Sequence, residues 1–191
     1  MSDRKRLFVF GYGSLVDGNA ARDPEIEHES GHYCHLDGYR RCWTVAMDNS
    51  IDLPGYKYFV DPSTGERPRV YVTFLNIERD PTGRVNGMAF PISDAALVEL
   101  EQRERNYRRG DVTAALREDI EGQVYAFAGL HAARARFATG KREGRTVVSK
   151  QYYDGVLDAF GRLGETALKE FKRFTDEPGC PIVPLRRIDL P

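Results

Sequence analysis

The sequence predicts an α+β domain in which a small mixed or antiparallel β-sheet, closed as a barrel, is flanked by helices. Three observations predict it. Apolar, β-branched and aromatic runs bounded by turn residues dominate residues 7–129, with one helical pattern inserted. The connections between these runs read mostly as hairpins, not as the regular strand–helix–strand alternation of a parallel sheet. Sustained helical periodicity returns only after residue 149.

The elements follow in order. Leu7-Phe8-Val9-Phe10, closed by Gly11, reads as a buried strand feeding a tight turn, Gly11-Tyr12-Gly13-Ser14-Leu15. Asp17 to Gly31 is polar and acidic, a loop or short irregular helix. His35 to Met47 predicts one or two strands broken at Gly38. Asp48 to Arg69 carries turn signals in series, Pro54-Gly55, Asp61-Pro62, Gly65 and Pro68. Tyr56, Tyr58 and Phe59 among them predict an ordered hairpin or a lid over a site. Val70–Ile77 and Val85–Ile92 read as a strand and its return, joined by a turn at Asp80-Pro81-Thr82-Gly83. Ser93 is an N-cap for a helix over Asp94–Arg105. Val112, Ala114 and Leu116 alternate and predict a hairpin with Val124–Ala128. Residues 134–150 hold Arg134, Arg136, Lys141, Arg142, Arg145 and Lys150 against Glu143, and read as a basic, glycine-containing loop. Ser149 then caps a helix with Tyr153, Val156, Leu157 and Phe160 on one face. A second helix carries Leu168, Phe171 and Phe174 and stops at Glu177-Pro178-Gly179. Pro181 to Pro191 is extended. With no internal repeat or boundary, residues 1–191 are expected to form a single domain.

The length of 191 residues fits one domain able to bury a core without disulfides or metals. A hydrophobic share of 41% with 30% charged residues argues against global disorder. A formal net charge of −1 lacks the basic excess of a dedicated nucleic-acid or membrane-surface binder. No apolar run approaches the roughly 18 residues of a membrane span, and Leu7–Phe10 is too short for a signal peptide. A cytoplasmic location is expected. Cys34, Cys42 and Cys180 are scattered and odd in number, as reduced thiols are.

Chemistry has few candidate seats. The glycine turn fails the dinucleotide pattern because Val16 stands where a third glycine is needed, and no Walker-type lysine follows. Two glycines allow positive φ and leave consecutive amides uncovered, a concave donor set for a carboxylate or oxyanion. The alternative is a turn that only reverses the chain. Glu104 is the second seat. At about 100° per residue from Leu97, Leu100 falls near about 300° and Glu104 near about 340°. An acid centred on an apolar stripe would have a raised pKa, suited to proton transfer. The alternatives are that the helix has ended, or that Glu104 pairs with Arg108. His28, His32 and His35 with Cys34 fall short of a metal site because Gly31 interrupts a helical spacing. Ser14 has no cue for a base partner, and the G-x-S-x-G elbow is absent.

Taken together, the pieces resemble a known family. The turn Phe10-Gly11-Tyr12-Gly13-Ser14-Leu15 follows the first strand. Gly38-Tyr39-Arg40-Arg41, Val85-Asn86-Gly87-Met88-Ala89-Phe90, Leu100-Glu101-Gln102-Arg103-Glu104, Tyr107 and Val124-Tyr125-Ala126-Phe127 come after it. This order resembles the γ-glutamylcyclotransferase-like superfamily over residues 7–130, with a weaker likeness over Tyr152–Phe174. Arg103-Glu104 with Tyr107 leans toward its ChaC-like side. Leu100-Glu101 stands where many members have Leu-Asp, and Arg105-Asn106 where many have a glycine.

The resemblance implies a small β-barrel with a cavity at one side. The amides of Tyr12, Gly13, Ser14 and Leu15 would hold a γ-glutamyl group, and Glu104 would move the protons. Tyr107 and Tyr125, with Tyr12, would donate hydrogen bonds near the cavity. The α-amine of a γ-glutamyl dipeptide, amine or glutathione would attack its own γ-carbonyl and release 5-oxoproline, with no metal or organic cofactor. The expected partner is this small molecule, not nucleic acid or membrane. Monomer and homodimer are both open. The alternatives are a non-catalytic module on the same fold, binding a small carboxylate or a partner, and a related acyl-handling enzyme with another product.

Overall fold

The computed structural model describes residues 6–16 and 30–191, so residues 17–29 of the expected acidic loop, with His28, lie outside the described residues. The strands are β1 (Leu7–Gly11), β2 (His32–Asp48), β3 (Lys57–Val60) and β4 (Tyr71–Pro91). Helix α1 (Asp94–Arg103) precedes β5 (Tyr107–Asp111) and β6 (Gln123–Gly129). Then come α2 (His131–Arg142), β7 (Thr146–Ser149), α3 (Lys150–Arg162), α4 (Glu165–Arg173), β8 (Ile182–Val183) and β9 (Arg186–Asp189). The fold is mixed α+β. A curled half-barrel sheet runs in the order β5-β6-β1-β4-β7-β8, with β2 on the free side of β4, and β3 and β9 form a separate ribbon.

β1 lies at the centre of the sheet because its residues from Phe8 to Gly11 are buried. It pairs antiparallel with β4, Phe10 opposite Ala89, and parallel with β6, Val9 opposite Tyr125. β2 and β4 run side by side from His32↔Ala89 to Asp48↔Tyr71. The expected hairpin of Val70–Ile77 with Val85–Ile92 is therefore corrected. Asp80–Gly83 has its turn chemistry, with Thr82 N–H donating to Asp80 Oδ1 at 3.0 Å. It forms a bulge, because Arg79 and Arg84 on either side both pair with β2, opposite Tyr39 and Asp37. Gly38, at φ +79°, absorbs the matching kink in β2.

Two further expectations are corrected. The partner of β6 is β5, Tyr107–Asp111, not residues 112–116. Asp111 Oδ1 accepts the Thr113 amide at 2.9 Å, starts a single 3₁₀ turn and ends the strand. The basic stretch 134–150 is not a loop but α2 and β7. The buried residues of α2 are Ala133 and Gly140, too small to register as an apolar stripe, while Arg134, Lys141 and Arg142 are exposed. Ser149 does stand at the start of α3, but its hydroxyl donates to Leu185 O at 3.3 Å and does not cap the helix. Ser93 caps α1 as expected, accepting the Ala96 amide at 3.1 Å.

Buried Arg41 joins the closing helices to the sheet. Its guanidinium lies 5.0 Å from the Phe160 ring centre and 4.6 Å from that of Phe171, and donates to Asn86 and Thr175. The segment 48–69 is held from two sides. β3 pairs with β9, Lys57 opposite Asp189, and Phe59 packs with Met47, Val72, Phe74 and Leu185. Fully buried Asn49 donates to Phe59 O and Pro68 O, each at 2.9 Å, and accepts the Phe59 amide at 2.8 Å. Asn49→Ala leaves these backbone groups unpaired. It should lower stability by about 1–3 kcal/mol in urea denaturation. Unchanged stability would show that Asn49 does not hold the segment.

Candidate active site

The glycine turn is built differently from its sequence expectation. Residues 14–16 form one 3₁₀ turn, closed by the Val16 amide donating to Gly13 O at 3.0 Å. Neither Gly11 nor Gly13 has positive φ. Gly11 is required for space, since a Cβ there would stand 2.8 Å from the Leu15 carbonyl carbon. The turn folds tightly back onto the end of β1 and meets α3, where Tyr152 lines the same chamber as Ser14 and Leu75.

Glu104 is not part of the apolar stripe of α1. The helix ends at Arg103, and Glu104 is its C-cap, with φ −82° and ψ 52°. Its amide donates to Leu100 O at 2.9 Å and its carbonyl accepts the Tyr107 amide at 2.8 Å. These two bonds fix the chain reversal between α1 and β5. Its carboxyl is half-buried, and among the described residues it has no hydrogen-bond or ion-pair partner. No Arg108 pair forms.

The turn and Glu104 face one space. A chamber of about 40 Å³ is bounded by Tyr12 to Leu15, Glu104, Tyr107 and Tyr152. It adjoins a cavity of about 700 Å³ that shares Ser14, Leu15, Glu104, Tyr107 and Tyr152 and is also lined by Lys57 and Arg187. The β3–β9 ribbon thus lines the cavity; Asp48–Arg69, expected as an ordered hairpin or a lid, contributes β3, which pairs with the distant β9 and not within the segment.

Burial raises the Glu104 pKa above the ordinary carboxylate value, against the pull of Lys57, Arg103 and Arg187. Burial also lowers Lys57 to about 8, helped by Arg187 and opposed by Glu104. Tyr12 and Tyr107 are pushed well above the usual phenol value, first by burial, so both are neutral donors and acceptors. Their protons are already committed, Tyr12 to Phe127 O at 2.5 Å and Tyr107 to Leu75 O at 2.7 Å. They shape the chamber and offer only oxygen lone pairs to a ligand.

The structure is similar to a solved γ-glutamyl cyclotransferase, with a TM-score of 0.55 at 14% identity over 91% of this chain and 89% of that one. It is also similar to YkqA from Bacillus subtilis, with a TM-score of 0.57 at 16% identity over 88% of this chain. The chain has a γ-glutamylcyclotransferase-like fold. It spans about half of YkqA, 53% of that chain. No protein-family model matches the sequence, and no curated protein matches it significantly.

On this γ-glutamylcyclotransferase-like scaffold, Tyr12, Gly13, Ser14, Leu15, Glu104 and Tyr107 line one chamber. Tyr125 does not line the chamber or the cavity; its ring lies 5.0 Å from the Arg109 guanidinium on β5. The histidines serve elsewhere. His32 packs edge-on against Phe8 at 6.0 Å, and His35 bridges Glu118 and Glu170 at 2.7 and 3.0 Å. Sequence reasoning did not assign Lys57, Tyr152 or Arg187 to the site. Lys57 and Arg187 carry no motif, since pairing of distant strands brings them together. Tyr152 had only its place beside a helix start as a signal.

The pKa of Glu104 has a stability consequence whose sign is fixed. A carboxyl raised in the folded state favours folding while protonated and loses that contribution as pH rises through its folded pKa. Glu104→Gln stays neutral throughout. It should therefore melt higher than the wild type near neutrality, with the gain vanishing below about pH 4.5. Thermal denaturation across this range checks it, and a pH-independent difference would contradict burial as the dominant cause.

Proposed function

We propose that the protein is a γ-glutamylcyclotransferase in which Glu104 is the general acid–base. The observation that carries this reading is a half-buried carboxyl, free of any direct partner among the described residues, facing the same chamber as the glycine turn. The chemistry needs little more. Nucleophile and electrophile belong to one molecule, so the site must fold the substrate and remove the proton that blocks its amine. Glu104 takes a proton from the α-ammonium. The amine nitrogen then bonds to the γ-carbonyl carbon, and the amide bond to the leaving amine breaks as Glu104 gives that proton to the leaving nitrogen. The ring nitrogen sheds its second proton to the freed Glu104 carboxylate, which passes it to the departing amine, so that 5-oxoproline keeps one N–H and the amine leaves as an ammonium. The products are 5-oxoproline and a free amine. The polar edge of the turn, Tyr12 to Leu15, orients the γ-glutamyl group and stabilises negative charge on the carbonyl oxygen.

The test incubates the purified chain with glutathione, γ-glutamyl dipeptides and γ-glutamylamines and follows 5-oxoproline by mass spectrometry. Turnover is expected, and Glu104→Gln should lower it by about 10²–10⁴-fold while remaining folded by circular dichroism. Retained activity in that variant would remove Glu104 from the reaction. Binding without product across the panel would replace the enzyme with a small-carboxylate-binding module.

A further inference from the structure

Lys57 and Arg187 line both the main cavity and a side lobe of about 270 Å³ that continues to Phe59, Phe74 and Val156. The strand register accounts for their meeting. Lys57 stands opposite Asp189, and Phe59 opposite Arg187. Alternate residues of a strand share a face, so these four side chains project from one face of the ribbon. Their charges are not equally balanced. Arg187 Nε donates to Asp189 Oδ1 at 2.7 Å and is largely neutralised there. The Lys57 ammonium lies 4.8 Å from the Phe74 ring centre and 5.4 Å from that of Tyr56. It has no hydrogen-bond acceptor among the described residues. A half-buried ammonium without an acceptor is a poor resting state that an incoming anion relieves.

Space decides which part of a substrate meets it. The cyclising half must lie by Glu104 and the turn, where the chamber and the main cavity share Ser14, Leu15 and Glu104. The leaving amine must then extend into the main cavity, where Lys57 stands.

We propose that Lys57, with Arg187 beside it, is the specificity-determining group of this site and binds a carboxylate carried by the leaving amine. The preferred substrate is then a γ-glutamyl amide of an amino acid or short peptide, not of a simple alkylamine. This inference rests on the cyclotransferase reading above. The carboxylate takes no part in the bond changes and contributes affinity and orientation alone. The apolar rim of Phe59, Phe74 and Val156 fits the carbon side chain of such a leaving group.

Two substrates that differ only in this carboxylate, γ-glutamyl-L-alanine and γ-glutamyl-ethylamine, test it on the full chain. The ratio of their kcat/KM values should favour the alanine compound by about tenfold or more. Lys57→Met should bring that ratio close to one, chiefly through the KM of the alanine compound, and Lys57→Arg should preserve most of it. An unchanged ratio in Lys57→Met, or no preference in the wild type, overturns the proposal; Lys57 then acts on the glutamyl half or on Glu104. Calorimetric titration of both compounds into the Glu104→Gln chain separates the two readings. A binding preference for the alanine compound with no 5-oxoproline from any chain supports the carboxylate site and overturns the cyclotransferase. Turnover without a binding preference overturns the carboxylate site alone.

Discussion

Glu104 is held by backbone bonds on both sides and, among the described residues, has no partner at its carboxyl. Its amide closes the last turn of α1 on Leu100, and its carbonyl receives the Tyr107 amide that starts β5. The reversal sets the residue at the chamber, where its side chain is half-buried. Desolvation then raises its pKa, while Lys57, Arg103 and Arg187 limit the rise. The group can exchange a proton because these two effects oppose each other. A direct ion pair would have held the carboxylate ionised and filled the space a ligand needs.

The surrounding architecture serves this placement. β1 carries the turn to the chamber from the centre of the sheet, and the missing side chain of Gly11 lets Leu15 fold back over it. Tyr12 and Tyr107 anchor their hydroxyls on Phe127 O and Leu75 O, which ties the chamber walls to two different strands. α3 sets Tyr152 against Ser14. The wall beyond comes from β3 and β9, more than a hundred residues apart in sequence. Asn49 and the Phe59–Phe74 cluster hold that wall, so cavity shape and local stability are linked.

Sequence and structure part company where local signals have more than one tertiary outcome. Asp80–Gly83 has the composition of a hairpin turn, yet one partner strand pairs with both of its arms and makes it a bulge. Residues 134–142 have a basic, solvated composition, yet Ala133 and Gly140 supply enough of a face for a helix. Glu104 was legible as a buried acid for a partly mistaken reason. Periodicity placed it on a helical stripe, whereas a chain reversal buries it. Tyr125 shows the opposite error, since its alternation in a strand did not reveal that its ring faces Arg109 and not the cavity.

The sequence by itself determined the α+β class, the first strand with its glycine turn, the capped helix that delivers Glu104, and the two closing helices. These depend on periodicity, capping and turn chemistry within a few residues, which a linear reading captures. Only the tertiary structure decided that the turn and Glu104 share one chamber, that β3 pairs with β9, and that Lys57 and Arg187 line the cavity beyond. Those facts depend on strand register between distant segments and on the desolvation that packing imposes, and neither has a local signature.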